Sequence, residues 1–292
     1  MVVTLACTLL GLWASLATAL CQGLAWFKRL ALIGFIGMTL RFTFGWFITL
    51  KWPSQETAVL ASAFALLANL ILLFWRKDLS LHGEPVSPWN REFVFYLIVS
   101  AAYVVGNYCF TVGDVLAMQR YFSNADSDAY TGAERLAAGL PAAVAPLLAV
   151  LFTNRSTEHT GEALRNQLKL LGLYLVSLVA GAICLYVLRV ICLKILGKYT
   201  PEAAGMIGPL AVTMIFVGLL QALGMWALAS RWSKMALFYG VLGLGYLFTL
   251  LLIGKTPVVL LPTMNIAAGI AFVALFIVWL NAMRHGKSRP HP

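Results

Sequence analysis

Five residues in the fourth apolar stretch of this chain share one side of a helix. Ser100, Tyr103, Asn107, Thr111 and Asp114 follow one another at spacings of 3, 4, 4 and 3, which at about 100° per residue confines them to an arc of roughly 80°. Hydrocarbon cannot solvate such a stripe, so it borders either a water-filled cavity or a hydrogen-bonded seam between helices. Its length and its ionisable end favour the cavity. In that setting Asn107 and Asp114 face water, and Asp114 balances charge or couples an ion.

Three further charges fall inside apolar stretches. Arg41 sits about 12 residues, or roughly 18 Å, into the second stretch, too deep to reach water along the bilayer normal. Gly34, Gly37 and Gly45 share its face, while Phe35, Phe42 and Trp46 cluster about 120° away. Either an ion pair with a carboxylate or contact with an anionic substrate satisfies it. Glu134 and Arg135 enter the fifth stretch roughly 10 Å below its start. Being adjacent, they point about 100° apart, so each needs its own partner, and Asp114 is a candidate for Arg135. A cavity holding Arg41 and Arg135 suits phosphate, which guanidinium groups bind through paired hydrogen bonds.

The elements that carry these residues follow from composition. Of 292 residues 61% are hydrophobic and 11% charged, and the mean hydropathy is +0.86. A soluble domain has about a quarter of its residues charged. Twenty-one Lys and Arg stand against 11 Asp and Glu, but they are scattered between apolar runs rather than gathered in the stripe a nucleic-acid surface needs. The five cysteines lie in or beside apolar runs without a CxxC pair, which argues against a disulfide framework or a zinc site. No charge precedes Lys28, so the first stretch lacks the basic start of a signal peptide and is expected to be retained.

Apolar runs fall at about Val2 to Ala25, Leu30 to Leu50, Thr57 to Trp75, Glu92 to Met118, Ala129 to Phe152, Leu168 to Leu188, Ala203 to Ser230, Met235 to Ile253 and Pro257 to Ala282. The expected fold is therefore all-α, a polytopic membrane protein of about nine transmembrane helices. Alternate connections hold thirteen and six basic residues, which puts the C-terminus in the cytoplasm and the N-terminus outside. The Arg76–Arg91 connection, with two prolines and a glycine, reads as a linker between lobes. Residues 1–75 then form an N-terminal lobe of three helices, 76–91 a cytoplasmic linker, 92–283 a lobe of six helices, and 284–292 a basic tail. An internal echo links the run from Trp26 to Gly37 with that from Trp232 to Gly243, as in transporters built from two parallel repeats.

The block Gly113-Asp114-Val-Leu-Ala-Met-Gln-Arg120-Tyr-Phe122, followed by Ala129-Tyr130-Thr-Gly-Ala133-Glu134-Arg135-Leu136, resembles the polysaccharide flippases of the multidrug/oligosaccharidyl-lipid/polysaccharide exporter superfamily. Gln22-Gly23 through Trp26-Phe27 with Arg41, and Gly197-Lys198-Tyr199 before Glu202-Ala203-Ala204, resemble other helices of that pattern. The resemblance maps the nine stretches onto helices four to twelve of twelve. It implies two bundles flanking a cavity that opens alternately to each side, moving polyprenyl-diphosphate-linked oligosaccharide across the bacterial inner membrane. It also implies that three helices of the first lobe are lacking, as in a truncated copy, a misread start, or a chain whose missing wall a second copy or a complementary chain supplies.

Rival classes are weaker on these residues. An enzyme needs a nucleophile, base or metal set, and the four histidines are dispersed, with no HExxH, GxSxG or phosphate loop. No catalytic residue, metal or cofactor is expected. A cation-coupled multidrug exporter of the same superfamily would use Asp114 and Glu134, and a non-transporting scaffold or truncated paralogue would need none of these residues.

Overall fold

The computed structural model describes residues 91–157, 161–230 and 232–285, with helical positions at 35–37, 39–40, 43–44, 47–48, 63–64, 66–68 and 71. The chain divides into two compact units, Met1–Val86 and Ser87–Pro292. In the first, Thr39 Oγ1 donates to the Phe35 carbonyl at 2.9 Å and Thr43 Oγ1 to that of Thr39 at 2.8 Å. These bonds satisfy the hydroxyls within their own helix, as an apolar setting requires. The Phe44 and Phe64 rings stack with centroids 5.8 Å apart. Gly37 is buried and Phe35 exposed, the facing expected from the pattern around position 41. Arg41 itself, the first apolar run and the 76–90 stretch lie outside the described residues.

The second unit contains six helices: α1 (Arg91–Tyr121), α2 (Asn124–Thr157), α3 (Gly161–Ile195), α4 (Pro201–Ala229), α5 (Ser233–Ile253) and α6 (Pro257–His285). Every regular element among the described residues is a helix. Five of the helices are long and apolar enough to cross a bilayer, at Val94–Tyr121, Leu168–Ile195, Pro201–Ala229, Ser233–Ile253 and Pro257–Ala282. A span needs roughly 20 apolar residues, and the protein is accordingly an α-helical membrane protein.

Helix α4 is the core. After Glu202 it carries no charge to its end, and most of its residues are buried by the neighbouring helices. It packs on each of the other five helices, most extensively on α2, then α6 and α3. Thr200 caps its start, Oγ1 accepting from the Ala203 N–H at 3.0 Å, with Pro201 in the first turn; such a cap contributes about 1 kcal/mol. The helix runs on through Pro209, and one turn later Thr213, fully buried, donates to Asn265 Oδ1 on α6 at 2.9 Å.

The closest pairing is α1 with α5. A Cβ on Gly243 would meet Gly106 Cα at 2.5 Å and its carbonyl oxygen at 2.7 Å, and one on Gly240 would meet the Ala102 oxygen at 2.7 Å. The two backbones touch where these side chains are absent, the small-residue packing by which membrane helices associate. Trp226, Trp232 and Trp279 join edge to face where α4 ends and α5 begins.

Several helices run past the apolar stretches of the sequence, and two of these ends have a local cause. Helix α3 does not stop at Leu188 but continues to Ile195, because Arg189 is satisfied without leaving it: the guanidinium lies 4.0 Å over the Tyr186 ring and donates to the Tyr186 carbonyl at 2.9 Å. Helix α2 starts at Asn124 rather than Ala129. The Ser123 hydroxyl accepts from the Asp126 N–H at 3.3 Å, and Asp126 complements the first-turn dipole.

Candidate functional site

Asp114 lies seven residues before the end of α1 and is 1% exposed. Across the two-residue connection Phe122-Ser123, Tyr130 of α2, itself fully buried, reaches this carboxyl. The Tyr130 hydroxyl donates to Asp114 Oδ2 at 2.6 Å. Met264 Sδ on α6 stands 3.4 Å from the same hydroxyl; a hydroxyl has one proton, and the carboxyl oxygen, nearer and more basic, takes it. Asp114 Oδ1 has no hydrogen-bond partner. The nearby Tyr246 on α5 is also buried with its hydroxyl unpartnered, its ring held between Phe110 and the space above Gly113. Buried polar atoms without protein partners are uncommon.

One turn along α2 from Tyr130, Glu134 is half-buried and Arg135 is exposed. Arg135 makes no ion pair with Asp114 or with any other described residue; the carboxyl that the sequence reading offered it is held by Tyr130 instead. The physical reason is angular: Tyr130 and Arg135, five positions apart, differ by about 140° around the helix, so when one faces α1 the other faces away. Among the described residues the ion pair is Lys198 with Asp128 at 3.2 Å, which fastens the α3–α4 connection to the start of α2. Gly197 has φ +65°, the turn that carries Lys198 there, and Gly132 lies flush against the Lys198 side chain.

The α1 stripe faces α5 along much of its length. Tyr103 stacks on Tyr239 with centroids 5.2 Å apart and fills the space over Gly224 of α4. The Tyr239 hydroxyl donates to Asn107 Oδ1 at 3.4 Å, a long bond, with Asn107 half-buried. Thr111 Oγ1 donates to the Asn107 carbonyl at 2.8 Å. Here the stripe forms the interhelical seam that was one of its two readings. Its partners Tyr239, Tyr246 and Met264 escaped the sequence reading, although two tyrosines seven residues apart, bracketing Gly240 and Gly243, mark one helical face.

The site thus has a buried acid end, Asp114–Tyr130–Tyr246, and, three-eighths of a turn around α2, an outward-facing cation at Arg135. Chemically the first can hold a proton or a small cation and the second an anion; no group of metal-ligating side chains occurs among the described residues. The fold and this polar interior define an α-helical membrane protein. Comparison with protein-family models, curated proteins and solved structures returns no match.

Proposed function

We propose that this chain is a partial polysaccharide flippase, carrying polyprenyl-diphosphate-linked oligosaccharide across the bacterial inner membrane by alternating access. The observation that carries the reading is an exposed arginine, Arg135, on the helix that brings Tyr130 to the buried Asp114. Asp114 is seven residues from the end of α1, and Arg135 lies five residues beyond the level of Asp114, so its Cα is about 18 Å from the α1–α2 turn. The 28-residue span of α1 is about 42 Å long against roughly 30 Å of hydrocarbon, so an even overhang is about 6 Å. In this reading α2 crosses the bilayer beside α1, and the exposed Arg135 stands some 12 Å inside the hydrocarbon layer. Lipid cannot accept a guanidinium there, so that face is wet or partnered. A wet face with a deep guanidinium suits a diphosphate headgroup.

In this reading Arg135 and Arg41 hold the diphosphate, Asn107 contacts sugar or water, Glu134 balances charge, and Asp114 with Tyr130 couples the cycle to a proton or cation. The nine-span, two-lobe arrangement, the cytoplasmic C-terminus, the external N-terminus and a second copy or complementary chain belong to the same proposal. A second reading, a cation-coupled multidrug exporter, is favoured by one observation, the unpartnered oxygen of Asp114.

Liposomes containing the protein and a fluorescent polyprenyl-diphosphate oligosaccharide test it. Transport that falls at least tenfold in Arg135→Ala and in Arg41→Ala supports the flippase. Transport insensitive to both changes, or an ion-driven efflux of cationic dyes lost in Asp114→Asn, overturns it in favour of the exporter.

A further inference from the structure

Prolines interrupt two packed helices. Pro209 lies inside α4 and Pro262 inside α6, and each, having no N–H, leaves the carbonyl four residues earlier without its helical donor. One turn beyond both prolines the helices are joined. Asn265 Nδ2 donates to the Leu261 carbonyl at 3.2 Å, back across Pro262, and Asn265 Oδ1 accepts from the hydroxyl of the fully buried Thr213 on α4 at 2.9 Å. The Pro209 carbonyl, 3.3 Å from the same hydroxyl, is the more distant acceptor, and a hydroxyl has one proton to give. Both ends of the Asn265 amide are thus committed, one to its own helix and one to α4.

Next to Asn265 stands Met264, fully buried, with Sδ 3.4 Å from the Tyr130 hydroxyl that donates to Asp114. Adjacent residues of a helix project about 100° apart, so fixing the direction of Asn265 fixes that of Met264. A thioether is a weak acceptor and does not hold the phenol by itself; packing and the orientation of its turn keep it there. That turn belongs to the part of α6 that Pro262 deprives of a backbone bond. The Asn265 amide supplies a side-chain bond across the gap and a tether to α4. Without the amide the turn is free to rotate, and Met264 is the side chain it withdraws from Tyr130.

We infer that Asn265 is a positioning residue for the acid site: by tying Thr213 to the turn after Pro262 it keeps Met264 closed over Tyr130 and Asp114. Its consequence for transport rests on Asp114 as the coupling group, but the geometry does not, and it is tested without transport. Methionine oxidation reads it in the full chain, purified in mild detergent. Hydrogen peroxide converts an accessible thioether to the sulfoxide, and peptide mass spectrometry gives a rate for each methionine. In the unaltered protein Met264 should react as slowly as Met235, which is buried at the start of α5. Thr213→Val and Asn265→Ala should speed Met264 and not Met235, by roughly three- to fifteenfold, as the loss of one interhelical hydrogen bond predicts. Thr213→Ser, which keeps the hydroxyl, should stay slow. The double variant Thr213→Val/Asn265→Ala should be no faster than Asn265→Ala, because both changes break one bond. A Met264 rate unchanged in both single variants overturns the inference, as does a Met264 that already outpaces Met235 in the unaltered protein. So does a parallel rise of Met235, which makes the bond a general packing contact, or a double variant faster than either single change.

Discussion

Tyr130 and Tyr246 both bring a phenol to the neighbourhood of Asp114, and their hydroxyls have opposite fates. Tyr130 supplies the bond that Asp114 Oδ2 accepts, so Tyr130→Phe leaves a buried carboxyl without a donor. The expected cost is about 1–3 kcal/mol, read as a lowered thermal midpoint in detergent. Tyr246→Phe removes a hydroxyl that has no partner and is expected to be neutral or slightly stabilising under the same measurement. A loss from Tyr246→Phe as large as that from Tyr130→Phe would mean that its hydroxyl serves a bound water or ion bridging to Asp114 Oδ1. Asp114→Asn keeps the shape and still accepts from Tyr130, so it should preserve the midpoint and remove any dependence of transport on the coupling ion. Loss of stability comparable to Tyr130→Phe would place Asp114 in a structural role alone.

At the scale of elements, the α1–α5 contact separates glycines that are required from one that is not. Gly243→Ala drives a Cβ into the Gly106 backbone, which has no rotamer through which to yield. The helices must part, at a cost of about 1–3 kcal/mol or more. Gly245→Ala, two residues on, points into open space and should gain about 0.5–1 kcal/mol from helix propensity. Comparing the two thermal midpoints checks the crossing, and equal behaviour would contradict it. The same contact shows where sequence reasoning reaches and where it stops. Periodicity identified the helices around Asn107 and Glu134 because a polar arc or an apolar run is a property of one segment. It could not decide whether the arc met water or another helix, since that depends on Tyr239, Gly240 and Gly243, which lie more than 130 positions along the chain from Asn107 and its neighbours. The helix ends failed for a local reason: charge marks where hydrocarbon ends, whereas Ser123 capping and the Arg189–Tyr186 contact decide where hydrogen bonding ends. The partner of Asp114 was missed because the sequence offers a cation nearby, and only the rotation of α2 shows that Tyr130 faces the carboxyl when Arg135 does not.

For the whole molecule, the argument turns on which end of the bundle meets the cytoplasm. The short turns after α1, α3 and α5 lie at one end and those after α2 and α4 at the other. The first end carries Arg120, Arg189, Lys194, Lys198 and Lys255, whereas the second carries Arg91, Arg155, Arg165, Lys169, Arg231, Lys234 and Arg284, with three acids at each end. Positive charge resists translocation, so the second end should be cytoplasmic. Single cysteines in a background freed of the five native ones decide it: Lys255→Cys should react with a membrane-impermeant maleimide in intact spheroplasts, and Lys234→Cys only after permeabilisation. The outcome bears on function as well as topology. Arg135 lies about 18 Å from the end bearing Lys255, so labelling at Lys255→Cys from outside places the deep guanidinium on the external half of the path, where it would meet a diphosphate late in outward export. Labelling at Lys234→Cys from outside would invert the bundle, and Arg135 would instead sit near the cytoplasmic entrance, as a loading group for the same cargo.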